Sequence, residues 1–91
     1  MTVVVYETRV RKALAKQLLP KNVLRTLHNA LVAIDTSRDM NLFDVKELKG
    51  DYQRSYFRLR KGKYRAIFFI DSENLKVIYI GKREDVYKRW E

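Results

Sequence analysis

Hydrophobic positions change their spacing along the chain, and the changes predict a strand followed by two helices. Residues 2–6 are β-branched or aromatic, which is typical of a short strand. Apolar residues then recur at helical spacing from Thr8, a candidate cap, to about Leu19. Pro20 fits the first turn of a second helix, because its missing amide donor costs nothing there. The second helix has one apolar face, formed by Val23, Leu24, Leu27, Ala30, Leu31 and Ile34.

The second half of the chain has the alternating pattern of β-strands. A short strand segment is predicted at 47–49, before a turn at Gly50, and residues 56–60 form a longer alternating strand. Lys61 and Gly62 make a tight hairpin to the apolar run 64–71. A second turn at 72–74 leads into a last strand at 75–80, which Gly81 ends. The three longer strands predict an antiparallel meander.

The order of these elements predicts an α+β fold. An antiparallel β-sheet carries the N-terminal helix pair on one face, and residues 82–90 form a basic tail with a short C-terminal helix. A chain of 91 residues has room for one modest core, so we expect a single domain over residues 1–91.

The strand at 56–60 predicts a cationic face on this sheet. Because Phe57 and Leu59 are apolar, we expect them to face the helices, and their neighbours then face away. Arg65 of the next strand, and Lys82 or Arg83 at the end of the last one, can join that side. The residues of strand 56–60 that face away are Tyr56, Arg58 and Arg60.

The charge pattern indicates an anionic partner. The chain has a formal net charge of +9, and the segment 54–65 holds six cations and no carboxylate. Phosphate is the first partner to consider, because the guanidinium group of an arginine can donate two parallel hydrogen bonds to it. Tyrosine rings nearby can stack on unpaired bases. The alternative is a sheet face that is simply solvated, which is the usual role of charged strand residues. The six cations are Arg54, Arg58, Arg60, Lys61, Lys63 and Arg65.

Several classes of site are excluded by composition. The chain has no cysteine, which rules out disulfides, thiolate catalysis and cysteine-ligated zinc. Its one histidine, His28, lies within the apolar pattern of the second helix, where a structural role is expected. We predict no metal and no cofactor. The segment 1–10 has no leader pattern and no apolar span follows, so we expect a cytoplasmic protein without a membrane partner.

Three segments together resemble the RelE/ParE superfamily of toxins from type II toxin–antitoxin modules, and the RelE branch more than the ParE branch. They are LKG at 48–50, YFRLRKGKYRAIFFID at 56–71 and IYIGKREDVYKRW at 78–90. The resemblance implies a fold similar to microbial ribonucleases. It also implies cleavage of mRNA in the ribosomal A site by 2′-hydroxyl attack, without a metal.

The resemblance also implies a set of site residues. Arg58 matches a basic strand position, Arg65 the arginine of the next strand, and Arg83 and Tyr87 the closing motif. Tyr56 stands where the family has a lysine proposed as general base, which leaves the base unassigned between Tyr56, Tyr87 and a less efficient route. The cations expected to bind RNA around them are Arg54, Arg60, Lys61, Lys63 and Lys82.

The implied partners are the ribosome with its mRNA and a cognate antitoxin, which is expected to be acidic and to wrap the toxin. Operator DNA is reached only through the antitoxin. Two alternatives stay open. One is a ParE-like inhibitor of DNA gyrase, and the other is a non-catalytic RNA-binding or operon-regulatory module.

Overall fold

The elements of the protein follow the predicted order. The computed structural model describes residues 3–16, 19–48, 55–71 and 74–82. The predicted turn at Gly50 and the tail after Lys82 lie outside these residues. The elements are β1 (Val3–Tyr6), α1 (Thr8–Ala15), α2 (Lys21–Ser37), β2 (Val45–Glu47), β3 (Phe57–Lys61), β4 (Tyr64–Asp71) and β5 (Asn74–Lys82).

The five strands form one sheet in the order β1-β5-β4-β3-β2. The pairs β2–β3, β3–β4 and β4–β5 are antiparallel, and the last two form the predicted meander. β1 pairs with β5 in parallel, so the sheet is mixed rather than purely antiparallel. A tight hairpin reverses the chain, whereas the helices and the other strands separate β1 from β5 and allow the two to run in the same direction.

Both helices pack on one face of the sheet, as predicted. The buried residues of α2 meet the buried residues of β3, β4 and β5 in a single core cluster. Burying each large apolar side chain contributes roughly 1.5–3 kcal/mol, so this contact holds the helix layer on the sheet. From α2 the cluster includes Leu27, Ala30, Leu31 and Ile34, and from the sheet Leu59, Ala66, Phe68, Leu75 and Val77.

The predicted helix ends are partly wrong. Glu7, not Thr8, is the N-cap of α1, because the Glu7 amide still donates to the Val77 carbonyl at 3.0 Å and the chain turns only afterwards. α1 ends at Ala15, short of the predicted Leu19. Pro20 occupies the N-cap position of α2 rather than its first turn.

The strand boundaries also shift by small amounts. β2 covers 45–47 instead of 47–49, where Val45 faces the core opposite Leu59. β3 extends to Lys61, so the hairpin loop consists of Gly62 and Lys63. Gly62 has a φ of +60°, which suits the first position of a type II′ turn. Gly81 lies inside β5 and does not end it.

Candidate nucleic-acid interface

The face of the sheet opposite the helices, which we call the outer face, carries several of the predicted cations. In β3, Leu59 is fully buried in the core and Phe57 packs against it. Successive strand residues point to opposite faces, so Arg58 and Arg60 belong to the outer face. This is the alternation that the sequence predicted, and it separates the apolar side of β3 from its cationic side.

Cross-strand pairing arranges the outer face in rows, in which paired residues lie about 4.5–5.5 Å apart. The first row is Arg60, Arg65 and Gly81, from β3, β4 and β5. The second row is Lys46, Arg58, Ile67 and Tyr79, from β2, β3, β4 and β5. The two rows are adjacent, so cations from three strands converge near the hairpin end of the sheet.

Arg65 is enclosed by protein, with 3% of its surface exposed. Its Nη1 donates to the carbonyl oxygens of Gly62 and Tyr64, each at 3.3 Å. A buried charge is costly unless polar groups surround it, and these carbonyls supply part of that environment. The hairpin therefore fixes the position of the Arg65 guanidinium within the first row.

A carboxylate that sequence reasoning missed joins the two arginines of β3. Asp44 forms an ion pair with Nε of Arg60 and a longer one, 3.5 Å, with Nη2 of Arg58. The segment 54–65 is free of acids in sequence, but β2 brings an acid to it in space. An anion that reaches these arginines has to compete with Asp44.

Arg58 keeps a donor that this ion pair does not use. Its side chain is 13% exposed, and its buried Nε has no hydrogen-bond acceptor among the described residues. An unsatisfied buried donor is unfavourable, and an anion bound on the outer face would relieve it.

Tyr56 borders the arginine rows with an aromatic ring. The ring meets that of Phe69 edge to face, with centroids 5.8 Å apart. Phe69 also belongs to the outer face, because it alternates in β4 with the core residue Phe68. Nζ of Lys76 lies 6.0 Å from the Phe69 centroid. The outer face thus carries the aromatic rings of Tyr56 and Phe69 next to its cations.

Tyr79 is a second residue that sequence reasoning missed. A β-bulge between β4 and β5 pairs Phe68 with Val77 but Ile67 with Tyr79, so Ile78 is the extra residue. The bulge changes the alternation of β5 and brings Tyr79 to the outer face. The regular pattern of 75–80 contained no signal for this shift.

Two of the predicted RNA-binding lysines lie apart from the arginine rows. Lys61 pairs with Tyr64 on the helix side of the sheet, and Lys63 is in the hairpin loop. Both line a groove of about 310 Å³ between the hairpin and α2, together with Thr26. The alternation of β3 explains this, since Lys61 follows Arg60 and faces the other way.

The remaining predicted residues can be placed only in part. The backbone of Lys82 pairs with Tyr64 at the end of β5, and its side chain lies outside the description. The other three lie outside the described residues altogether. They are Arg54, Arg83 and Tyr87.

His28 lies on the helix side of the protein and takes no part in the arginine rows. Its Nδ1 is 2.7 Å from the hydroxyl of Tyr6, and the two rings stack with centroids 5.9 Å apart. This contact ties α2 to β1, which is the structural role that the sequence indicated.

Two further classes of site are absent from the part of the chain that the structure describes. No group of three or more histidine, cysteine, aspartate or glutamate residues is placed there to hold a metal ion. No helix of that part has the length and apolar character needed to cross a membrane.

The outer face has the chemistry of a phosphate site. Arg58, Arg60 and Arg65 supply donors at adjacent positions of two strands, and Arg65 is preorganised by the hairpin carbonyls. Donors fixed in advance around a phosphate stabilise the charge that develops on it during transfer, because little reorganisation is needed. Tyr56 and Tyr79 add rings at the border, and rings of this kind stack on unpaired bases.

The fold is similar to those of solved toxin structures. A chain of the RelB–RelE antitoxin–toxin complex from Methanococcus jannaschii gives a TM-score of 0.74 at 19% identity, over 96% of this chain and 99% of that one. A chain of the archaeal RelE–RelB complex from Pyrococcus horikoshii OT3 gives 0.70 at 28% identity, over 88% and 92%. YafQ from E. coli gives 0.62 at 14% identity, over 96% and 99%.

Comparison by sequence alone identifies no relative of the chain. No protein-family model and no curated protein sequence matches the chain. The likeness is therefore one of fold.

Proposed function

We propose that this chain is a toxin of the RelE/ParE superfamily and that it acts as a ribosome-dependent mRNA endonuclease, the toxin of a type II toxin–antitoxin module; the similar folds of the solved RelE chains support this proposal. The proposed reaction is attack of a 2′-hydroxyl on the adjacent phosphate, which needs no metal. The proposed site of action is the cytoplasm, where translating ribosomes are found.

The observation that carries this proposal is the convergence of Arg58, Arg60 and Arg65 on the outer face. Cleavage by an internal hydroxyl crowds negative charge onto a five-coordinate phosphate, and arginine forks are suited to binding that charge. The guanidinium of Arg65 is already held by the carbonyls of Gly62 and Tyr64.

The proposed roles follow from this chemistry. Arg58 and Arg65 stabilise the phosphate, together with Arg83 of the closing motif. Tyr87 stacks on a base or carries a proton. Arginine is a poor base because its pKa lies above about 12, so proton transfer from the 2′-hydroxyl falls to Tyr56 or Tyr87.

The proposed partner of the toxin is an antitoxin. Two of the similar solved structures are complexes of RelE with RelB, described as an antitoxin. The net charge of +9 favours an acidic segment that wraps this chain. Such a segment and mRNA would compete for the outer face, so binding of the antitoxin would neutralise the toxin.

The test is to express the chain in growing cells and to map the ends of mRNAs on translating ribosomes. We expect cleavage in phase with codons. Each of Arg58→Ala, Arg83→Ala and Tyr87→Ala should reduce it, by about 100-fold or more where a phosphate donor is removed. The matched control is Arg25→Ala, the same substitution at an exposed position of α2. Growth arrest with intact mRNA and damaged DNA would overturn the proposal in favour of gyrase inhibition.

A further inference from the structure

A bulge in β5 sets Tyr79 on the outer face and turns the next residue, Ile80, towards the core. A regular β5 would turn Tyr79 towards the helices, because Val77 already faces the core. The bulge at Ile78 reverses that and sets Tyr79 beside Ile67 on the outer face. Bulges are over-represented next to active sites, where they redirect a side chain.

Gly81 makes room for the Tyr79 ring. A Cβ at position 81 would lie 2.8 Å from the hydroxyl oxygen of Tyr79, 2.9 Å from Cε1 and 3.1 Å from Cζ. Real side chains do not approach so closely, so the ring reaches along β5 over a residue that has no side chain. Any larger residue at this position would displace it.

The space over Gly81 is also the space beside Arg65. Gly81 is the cross-strand partner of Arg65 in the first row, and Tyr79 is in the second row with Arg58. The ring therefore lies on β5 beside Arg65 of β4, and Arg58 of β3 lies one strand further across the sheet. Tyr79 is half-buried and keeps part of its surface exposed.

We propose that Tyr79, placed by the bulge and by Gly81, is a stacking platform for an unpaired base of the RNA whose phosphate is bound by Arg58 and Arg65. This inference rests on the proposed function and adds a base-binding subsite to it. Aromatic rings next to backbone-binding cations are the usual means by which proteins bind single-stranded RNA. The resemblance to the toxin family assigns no role to this position.

The test uses the full chain and a short single-stranded RNA that carries 2-aminopurine and 2′-O-methyl sugars, so that binding is measured without cleavage. Stacking on Tyr79 should quench the 2-aminopurine fluorescence. Tyr79→Leu removes the aromatic ring but keeps apolar bulk, and it should weaken binding about 5- to 100-fold and abolish most of the quenching. Tyr79→Phe keeps the ring and should restore most of the quenching.

Gly81→Ala is an independent variant, since it displaces the ring while the tyrosine stays in the chain. It should reduce quenching in the same way as Tyr79→Leu, and thermal unfolding of each variant verifies that it folds. Equal binding and quenching by the wild type and Tyr79→Leu would overturn the inference, as would failure of the wild type to bind this RNA. Quenching that depends on Tyr79, in a protein that does not cut mRNA on ribosomes, would support the inference and refute the proposed function.

Discussion

Asp44 and Arg60 lie side by side at the edge of the outer face, joined through both backbone and side chain. The Arg60 amide donates to the Asp44 carbonyl at 2.9 Å, and the Asp44 carboxylate forms an ion pair with the guanidinium. The same carboxylate lies 3.5 Å from Nη2 of Arg58. An acid thus occupies the arginines at which RNA is proposed to bind, so binding involves an exchange of one anion for another.

Replacing Asp44 should therefore tighten RNA binding. Asp44→Asn keeps the shape of the side chain and removes its charge, so Arg58 and Arg60 become available to phosphate. Exposed ion pairs contribute about 0.2–1 kcal/mol, which corresponds to roughly 1.4- to 5-fold in affinity. The measurement is the dissociation constant for a short single-stranded RNA at several salt concentrations.

Asp39→Asn is the matched control for this prediction. It makes the same change in net charge, and an asparagine can still accept the hydrogen bond that Asp39 Oδ1 receives from the Asn41 amide. We expect its affinity for RNA to stay within twofold of the wild type. Weaker binding by Asp44→Asn would show that the carboxylate positions the arginines instead of competing for them.

The hairpin that holds Arg65 depends on Gly62. Its φ of +60° is unfavourable for a residue with a Cβ, although no atom lies within 4 Å of where that Cβ would be. Gly62→Ala should therefore lower the free energy of unfolding by about 1–2 kcal/mol through backbone strain alone. In a domain of this size each 1 kcal/mol lowers the melting temperature by roughly 4–8 °C.

Lys63→Ala tests the same loop without the strain, because Lys63 has no positive φ. Its melting temperature should remain close to that of the wild type. An unchanged melting temperature for Gly62→Ala would show that the loop adopts another turn at no cost.

The sequence predicted those parts of the fold that depend on local spacing. The apolar face of α2 and the strands of the meander follow from periods near 3.6 and 2, and both are present. The parallel pairing of β1 with β5 was missed, because strand direction depends on the whole chain between them. The prediction that Thr8 caps α1 was wrong for a related reason. The Glu7 amide donates a hydrogen bond to the Val77 carbonyl of β5, so Glu7 still pairs with the sheet and the helix begins only after it.

In the candidate site, too, the sequence predicted what depends on local spacing and missed what depends on contacts between strands. Arg58 and Arg60 were placed on one face by alternation, and Arg65 was added from the next strand. Asp44 was not foreseen, because it meets Arg58 only through the pairing of β2 with β3, which the local sequence around Arg58 does not indicate. Tyr79 was not foreseen either, since a single bulge inverts the alternation of β5.

Because α2 packs on the sheet through its leucines, truncating a buried one should strongly destabilise the fold. Leu31 is fully buried, so Leu31→Ala leaves a cavity and should lower the free energy of unfolding by about 2–5 kcal/mol. Val32 is the next residue of the same helix and is 40% exposed. Val32→Ala should change the stability by less than about 0.5 kcal/mol. Urea unfolding of both variants measures the difference, and similar values for the two would contradict the packing.

The raised pKa of Tyr6 makes the free energy of unfolding depend on pH in the alkaline range. Burial between β1 and the helices raises the pKa of Tyr6 to about 12, above the value of 10 for an exposed tyrosine. The folded protein therefore binds the phenol proton more tightly than the unfolded chain does. The stabilisation is complete below pH 10 and is lost as the pH rises from 10 to 12, with a slope of up to about 1.4 kcal/mol per pH unit.

Tyr6→Phe removes this titration along with the hydrogen bond to Nδ1 of His28. The variant should be less stable than the wild type at pH 8, because it lacks that bond. The gap between the two should narrow between pH 10 and 12, where only the wild type loses the contribution of Tyr6. Urea unfolding at pH 8, 10, 11 and 12 measures both stabilities, and lysines that lose their charge in this range affect the two proteins alike. A gap that stays constant across the series would mean that the Tyr6 hydroxyl ionises equally easily in the folded and unfolded chains.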